Sequence, residues 1–300
     1  MGPLLFTIFS NDLPEFLSCE IDQYADDSTL SCVKSAAGEI TSELNSNLCE
    51  VSKWMQSNKM CLNVDKTHLM LAGTNHRILR TNAEETLDIR IDQVQLQPSV
   101  TNCERVLGVV VQPNLKWIEH ANDLQGKLKF RLAGLRKVTH ALNYEKRKVV
   151  AKAIFESVLT YCIPVLAGTS KGVIEDLQVL QNRAAQFVLK LPGRSNREHM
   201  FNTLGWLTVH QLSVFHTILT VYNIRRTKEP EYLAEKLTRE NVRGNIVVAH
   251  TGLTLLKNSF VFRGAELWNK VPHSVRAIQN VKEFKKQLHK WVLENVDKLM

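Results

Sequence analysis

Hydrophobic and polar residues follow two different periods in the first 117 residues, which predicts a mixture of helices and strands. The opening stretch MGPLLFTIFSNDLPEFL has apolar residues at helical spacing. The stretch CEIDQYADDSTLSCV, residues 19–33, has β-prone ends around a polar, turn-forming centre, and it predicts a strand, a tight turn and a second strand. Residues 39–58 predict an amphipathic helix that covers one face of a small sheet. Its apolar stripe consists of Ile40, Leu44, Leu48, Val51 and the pair Trp54 and Met55.

Two later stretches predict further strands and complete an α+β module. They are residues 60–73, MCLNVDKTHLMLAG, and residues 104–117, ERVLGVVVQPNLKW. Gly108 lies inside the second stretch, where we expect the backbone to approach another group closely.

Beyond Trp117 the pattern becomes helical and basic, which predicts a domain boundary at 117/118. Each of three segments pairs an apolar stripe with Lys or Arg, and these segments are 118–138, 145–163 and 172–190. In the second segment, Lys148 and Lys152 share one face. The residues expected to point inward there are Val150, Ile154, Val158 and Tyr161. We predict an α+β fold in three parts, which are 1–117, a helical region at 118–193 and a helical, basic C-terminal region at 194–300.

Charge is distributed unevenly along the chain. The overall formal charge is +8, but residues 1–100 hold 7 Lys and Arg against 14 Asp and Glu, so the positive charge belongs to the rest. The last predicted helix carries Lys282, Lys285, Lys286, His289 and Lys290. A basic surplus of this size is expected of a nucleic-acid partner, and the alternative is an ordinary solvated surface.

Neither a membrane span nor a metal-binding cysteine motif is predicted. The longest apolar helical pattern, at 149–168, is interrupted by Lys152 and Glu156, and it falls short of the roughly 18 apolar residues that a span needs. The six cysteines are scattered singly through apolar stretches. We therefore expect reduced thiols, buried as small hydrophobic residues, in an intracellular protein of the nucleus or cytoplasm.

The adjacent carboxylates Asp26 and Asp27 are the strongest candidates for chemistry. Two like charges at a hairpin tip repel each other unless a cation lies between them. Mg²⁺ prefers oxygen ligands, and two-metal sites use Asp to hold the ions for phosphoryl transfer. The alternative is ordinary turn chemistry, because Asp is common in turns.

Several stretches, taken in order, resemble the reverse transcriptase of non-LTR (LINE-type) retrotransposons. YADDS resembles the polymerase metal hairpin, and GPLLF with NDLP resembles the template-contacting segment and the helix after it. VSKWMQSNKMCLNVDKTHLML resembles the segment that follows the hairpin, VLGVVVQPNLKWIEH the primer grip, and QVLQNRAAQFVLKLPGR the thumb helix. FRGAELWNKVPHSVRAIQNVKEFKKQL is similar to the C-terminal end of jockey- and chicken-repeat-type elements.

The resemblance implies roles for the residues of the metal hairpin and its neighbours. Asp26 would ligate both Mg²⁺ ions, with Asp27 as an auxiliary carboxylate. Tyr24 would pack beside the primer terminus and the incoming nucleotide. Lys66 would lie near the leaving pyrophosphate as a proton donor or charge stabiliser; the alternative is an exposed lysine at the start of a strand.

The resemblance also implies contacts with template and primer. Gly2 and Pro3 would border the RNA template, and the alternative is a local turn. Leu107 and Gly108 would hold the backbone of the DNA primer, and the alternative is simple strand packing. The basic helices of residues 118–190, with Lys148 and Lys152, would follow the phosphates of the template–primer duplex.

The family has a further metal-binding Asp and triphosphate-holding fingers upstream of the GPLLF block, and this chain begins after both. Asp22 shares strand parity with Asp26 and is expected on the same face, where it would serve the same edge of the site. We therefore expect a fragment of the polymerase, comprising a truncated palm (a small antiparallel sheet with covering helices), a helical thumb and the C-terminal region. Alone it would be inactive, with weak or absent Mg²⁺ binding, and it would take deoxynucleoside triphosphates only if the site were completed. The alternative is a non-catalytic nucleic-acid-binding or interaction module derived from it.

Overall fold

The fold is mixed α+β, as predicted, and it divides into two compact units. The computed structural model describes residues 1–81, 87–99, 103–248 and 252–295. Unit 1 comprises Met1–Val106 and Val111–Leu115, and unit 2 comprises Leu107–Val110 and Lys116–Met300.

Unit 1 combines three described helices with short strands. The helices are α1 Gly2–Phe9, α2 Ala37–Ser57 and α3 Asn75–Thr81, and 3₁₀ turns lie at Leu13–Phe16 and Val64–Lys66. The strands up to the start of unit 2 are β1 Glu20–Tyr24, β2 Asp27–Ser31, β3 Leu69–Met70, β4 Ile89–Ile91, β5 Val94–Leu96, β6 Pro98–Ser99 and β7 Glu104–Val106. Pairs β1–β2 and β4–β5 are antiparallel, whereas β3–β6 is parallel. In the described part of unit 1 the strands thus form separate pairs and not the one small antiparallel sheet that was predicted.

Helix α2 organises both apolar clusters of unit 1, and its predicted stripe is confirmed. Ile40, Leu44 and Leu48 pack against the buried residues of β4 and β5. One to two turns later, Val51 and Trp54 are themselves buried and form the second cluster. One helix face therefore supports two strand pairs, because its apolar positions recur every three to four residues over 21 residues.

Two predicted strands are shorter than their sequence patterns. Residues 60–73 contain the 3₁₀ turn Val64–Lys66 and only the two-residue strand β3. Residues 104–117 contain β7 and then β8 Val109–Val111, separated by Leu107 and Gly108. Both of these residues have positive φ, +46° and +81°, which ends the extended backbone and makes a turn. The prediction of one continuous strand was wrong because Gly108, which was expected to mark a close approach of the backbone, instead forms a turn together with Leu107.

Unit 2 is mainly helical in its described residues. The first helices are α4 Ile118–Lys137, α5 Tyr144–Ala151, a π turn at Lys152–Glu156, α6 Ser157–Thr160 and α7 Lys171–Leu189, with 3₁₀ turns at Thr139–Ala141 and Ile163–Gly168. The later helices are α8 Arg197–Leu204, α9 Val209–Thr227, α10 Glu231–Thr238, α11 Thr254–Lys257, α12 Phe260–Lys270, α13 His273–Arg276 and α14 Val281–Glu294. The three predicted helical segments between 118 and 190 are confirmed.

The buried face of α5 and α6 differs from the predicted one. Ala151, Phe155, Leu159 and Ile163 are buried, whereas Ile154 and Tyr161, which were predicted to point inward, are exposed. The buried residues recur every four positions, a spacing that drifts by about 40° per step around a regular α-helix. The π turn at Lys152–Glu156 winds more loosely and keeps these residues on one side. The prediction was wrong because it assumed regular winding.

Residues on both sides of the predicted boundary at 193/194 contribute to one core. Buried glutamines join the helices there. The Gln178 carbonyl oxygen accepts a hydrogen bond from the backbone N–H of Val209 at 2.9 Å, and Gln181 Nε2 donates to the backbone oxygen of Leu207 at 2.9 Å. The division between the two units crosses the chain three times between Val106 and Lys116, because Leu107–Val110 belongs to unit 2 and Val111–Leu115 to unit 1.

Two further expectations concern thiols and membranes. All six cysteines are free, but Cys49 and Cys61 are exposed and the other four are half-buried, so the expectation of buried thiols was wrong. Within the described ranges, no helix combines the length and the apolar character needed to span a bilayer.

Candidate functional site

The two candidate metal ligands lie at the tip of a two-residue β-hairpin. Strands β1 and β2 are in a register that pairs Tyr24 with Asp27, so Ala25 and Asp26 form the turn. Ala25 has φ +53° and Asp26 is not in the left-handed region, the sign pattern of a type II′ turn. This turn matches the twist of the two strands and places adjacent carboxylates at the end of the hairpin.

One face of the hairpin is fixed to unit 1 by apolar contacts. Ile21 and Leu30, which are paired across the strands, pack against Leu13, Val51 and Trp54. Side chains alternate between the two faces of a strand, so Asp22 and Tyr24 lie on the face opposite to Ile21. The opposite face, which carries the polar residues, remains exposed.

The base of the hairpin is tied to α2 by the buried side chain of Asn47. Its Oδ1 accepts hydrogen bonds from the backbone N–H groups of Ser18, at 2.8 Å, and Cys19, at 3.3 Å. Its Nδ2 donates to the backbone oxygen of Glu43 at 2.7 Å. Sequence reasoning missed Asn47, although a polar residue between Leu44 and Val51 on an apolar helix face is a signal that would have found it.

The register separates the acids differently from the expectation. Asp22, Tyr24 and Asp27 share the exposed face of the hairpin, because Asp22 pairs with Thr29 and Tyr24 with Asp27. Asp26 occupies the turn. The expectation that Asp22 shares a face with Asp26 was wrong, because the turn interrupts strand alternation between them, and Asp22 lies on the side of Asp27.

The donor atoms fit magnesium in kind but not in number. Exposed carboxylate oxygens are the ligands that Mg²⁺ prefers. Over the described ranges, however, no group of three or more His, Cys, Asp or Glu side chains is arranged to hold a metal ion. Asp12, another acid of unit 1, accepts a hydrogen bond from Trp54 Nε1 at 3.1 Å. Asp26 and Asp27 could therefore supply at most part of the ligand set that two metal ions need.

Lys66 ends the 3₁₀ turn Val64–Lys66 and is exposed. Asn63 caps this turn, with its side chain accepting from the backbone N–H of Lys66 at 3.3 Å. Leu62, four residues earlier, packs in the same cluster as Ile21. The segment before Lys66 is thus fixed beside the hairpin's apolar face, while the ammonium group itself is in solvent.

Gly2 and Pro3 form the exposed first turn of α1. Helix α1 contacts α2 through the ring of Phe9, whose centroid lies 6.0 Å from that of Trp54. Gly2 and Pro3 were alternatively expected to form a local turn. They instead begin a helix, and proline is well tolerated in the first turn of a helix.

In unit 2, Leu107 and Gly108 form the turn between β7 and β8 described above. The hydroxyl of Tyr161 donates a hydrogen bond to the backbone oxygen of Leu107 at 2.6 Å. A Cβ added to Gly108 would lie 3.6 Å from the Tyr161 ring, which is ordinary contact, so the positive φ is what favours glycine there. Sequence reasoning expected Tyr161 in the core and missed this contact.

Lys148 and Lys152 lie one turn apart on the helix that continues through the π turn. Lys152 is exposed and Lys148 is half-buried. Glu156, one turn further on, has a raised carboxyl pKa because burial disfavours its charged form, an effect that Lys152 partly offsets. Nearby Arg147 is buried and donates to the backbone oxygen of Val188 at 2.8 Å. The two lysines thus share their helix with a carboxyl group and a structural arginine.

A denser basic stretch lies on α4, within the basic helices predicted to follow the phosphates, although none of its residues was named as a candidate. Residues 127–137 contain five Lys and Arg and no Asp or Glu. Phe130, in the middle of this stretch, is 78% exposed. Its position outside the buried stripe of Leu124, Leu128 and Leu132 was visible in the sequence.

The ten predicted site residues are divided between the units. Six belong to unit 1, namely Gly2, Pro3, Tyr24, Asp26, Asp27 and Lys66, and four belong to unit 2, namely Leu107, Gly108, Lys148 and Lys152. Comparisons with protein-family models, with curated proteins and with solved structures find no match to this chain.

Proposed function

We propose that this chain is part of a reverse transcriptase of the non-LTR retrotransposon type, an RNA-directed DNA polymerase. The observation that carries the proposal is the hairpin, where Asp26 lies in the tight turn and Asp27 begins the strand after it, while Ile21 and Leu30 fix the apolar face of the two strands. A preorganised pair of exposed carboxylates on a rigid support is what metal-dependent nucleotidyl transfer requires of this part of a polymerase.

In this proposal the residues of unit 1 hold and orient the reacting groups. Asp26 and Asp27 would hold Mg²⁺, which, when bound, stabilises the charge of the transferring phosphoryl group. Tyr24, on the exposed face next to Asp27, would support the primer terminus. Lys66 would neutralise charge on the departing pyrophosphate.

We further propose that polymerisation needs carboxylates and a triphosphate-binding surface beyond the described residues. Two metal ions require a larger set of ligands than one hairpin tip supplies. The isolated chain should therefore bind a divalent ion weakly and should not extend a primer.

Manganese binding tests the metal role without requiring activity. Electron paramagnetic resonance of Mn²⁺ titrated with the protein should show weak binding that Asp26→Asn or Asp27→Asn abolishes. Asp65→Asn, which removes an exposed carboxylate elsewhere in unit 1, should leave it unchanged. Equal binding in all four proteins would contradict the proposal. Primer extension on an RNA template that survives Asp26→Ala would contradict it as well.

A second candidate function, a non-catalytic nucleic-acid-binding module, is favoured by the basic stretch at 127–137. This stretch holds five Lys and Arg and no Asp or Glu, and such a cluster attracts nucleic-acid phosphates whatever the sequence of bases. A gel shift that survives Asp26→Ala but disappears when Lys148 and Lys152 are both changed to Glu would favour this module. A salt-independent shift would argue against it.

A further inference from the structure

We infer that Phe130 is a stacking platform for an unpaired base of single-stranded nucleic acid, with the cations of α4 holding the neighbouring phosphates. The inference rests on the proposed nucleic-acid partner and names the form of nucleic acid and the residue that selects it. Phe130 is 78% exposed, far more than an aromatic ring usually is in a packed helix.

The neighbours of Phe130 leave its ring uncovered. Residues three and four positions away flank a helical side chain, and here they are Gly126, Ala133 and Gly134 on three of the four sides. A Cβ added at Gly126 or Gly134 would meet no atom within 4 Å. A planar group can therefore reach the ring without displacing another side chain.

The fourth neighbour and the surrounding surface are cationic. Lys127 and Arg131 line, with Phe130, Gly126 and Val158, an open depression of about 400 Å³. Lys127 Nζ is also 2.7 Å from Asp123 Oδ2, so its charge is partly engaged. Across the described ranges, none of the remaining cations of the stretch forms an ion pair with an acid; they are Lys129, Arg131, Arg136 and Lys137.

This combination distinguishes nucleic acid from other occupants. A single exposed aromatic residue needs no explanation on its own. Interfaces between proteins, however, are depleted of Lys, whereas surfaces for single strands combine cations for the phosphates with aromatic rings for the bases. A duplex has no free base face to offer Phe130, so the ring would contribute only to the binding of unpaired nucleotides.

Fluorescence anisotropy with a labelled oligo(dT) and a labelled blunt-ended duplex of two strands tests the inference on the full chain. Phe130→Ala should weaken oligo(dT) binding about tenfold, the effect of losing one stacked base, and should leave duplex binding within twofold. Phe130→Tyr should bind oligo(dT) as tightly as the wild type does. Phe130→Leu keeps an apolar side chain but has no ring to stack on a base, and it should bind as weakly as Phe130→Ala. Phe16→Ala, at an exposed phenylalanine of unit 1, is the matched control and should have no effect.

Salt dependence separates the ring from the charges. Arg131→Gln should reduce the slope of log K against log salt by about 0.7, the value for one phosphate of a single strand, while Phe130→Ala should leave the slope unchanged. Circular dichroism should show intact helix in each variant, since Ala favours a helix more than Phe.

Three outcomes would overturn the inference. In the first, Phe130→Ala weakens single strand and duplex equally. In the second, Leu replaces Phe without loss. In both cases the chain still binds nucleic acid and the proposed function stands. In the third, the wild-type chain binds neither ligand at low salt, and the nucleic-acid-binding candidate fails together with the inference.

Discussion

Asn47 should determine how firmly the candidate metal hairpin is held. In Asn47→Leu the backbone N–H groups of Ser18 and Cys19 lose an acceptor, and the backbone oxygen of Glu43 loses a donor. A polar group left without its partner in a buried position costs about 1–3 kcal/mol. Ser18 is exposed and its N–H can turn to water, so we expect a total loss of about 2 kcal/mol in the free energy of unfolding of unit 1.

The matched control lies half a turn earlier on the same helix. Asn45 also makes two backbone hydrogen bonds, donating to Asp88 at 2.7 Å and accepting from Arg90 at 2.8 Å, but these bonds are exposed to water. Asn45→Leu should therefore cost less than about 1 kcal/mol.

Urea denaturation followed by Trp54, the tryptophan of unit 1, measures the two losses. Hydrogen exchange of the peptide that contains residues 18–31 should become faster in Asn47→Leu alone. Equal losses in both variants, or unchanged exchange in the hairpin, would refute the reasoning that burial makes Asn47 the anchor.

Three further predictions concern unit 2. In urea denaturation, Gly108→Ala should lower the free energy of unfolding by about 1–2 kcal/mol, because Gly108 has a φ of +81°. Gly126→Ala, in the middle of α4, should raise the free energy of unfolding by about 0.5–1 kcal/mol. Equal effects of the two substitutions would contradict the backbone argument. Burial raises the pKa of the Glu156 carboxyl group, so the folded state binds its proton more tightly than the unfolded state. Glu156→Gln should therefore be more stable than the wild type at pH 7 and should lose that advantage below about pH 4. A stability difference that stays constant across this pH range would contradict the prediction. Burial, with a smaller contribution from Lys285, lowers the pKa of His216, so the folded state binds fewer protons than the unfolded state and stability should fall as pH drops through about 6.5. In His216→Phe the melting temperature should depend less on pH between about 7.5 and 5.5. A melting temperature that varies with pH as in the wild type would refute this prediction.

The sequence predicted what depends on local periodicity. The hairpin around Asp26 and the stripe of α2 were correctly identified, because a polar turn between β-prone segments and a 3.6-residue repeat are local signals. Failures came where the backbone departs from regular geometry, at the π turn near Phe155 and at the turn formed by Leu107 and Gly108.

The sequence indicated candidate site residues whose chemical type is distinctive. It did not indicate residues whose role depends on neighbours far away along the chain. Adjacent carboxylates are conspicuous in any sequence. Asn47 meets residues 28 and 29 positions away, and Tyr161 meets Leu107 across 54 positions. No spacing rule reports such contacts, although polar residues on an apolar stripe, and aromatic residues outside it, are sequence features that indicate where to look.

The glutamine contacts that join α7 to the start of α9 have a consequence for dissecting the molecule. Residues 118–193 expressed alone would present the amide groups of Gln178 and Gln181 to water on a bared apolar surface, and residues 194–300 would lose the acceptor that orients Val209. Neither piece should be stable by itself, and limited proteolysis near residue 193 should leave two fragments that remain associated until the protein is denatured. Mutations on either side of that position should accordingly shift a single shared unfolding transition.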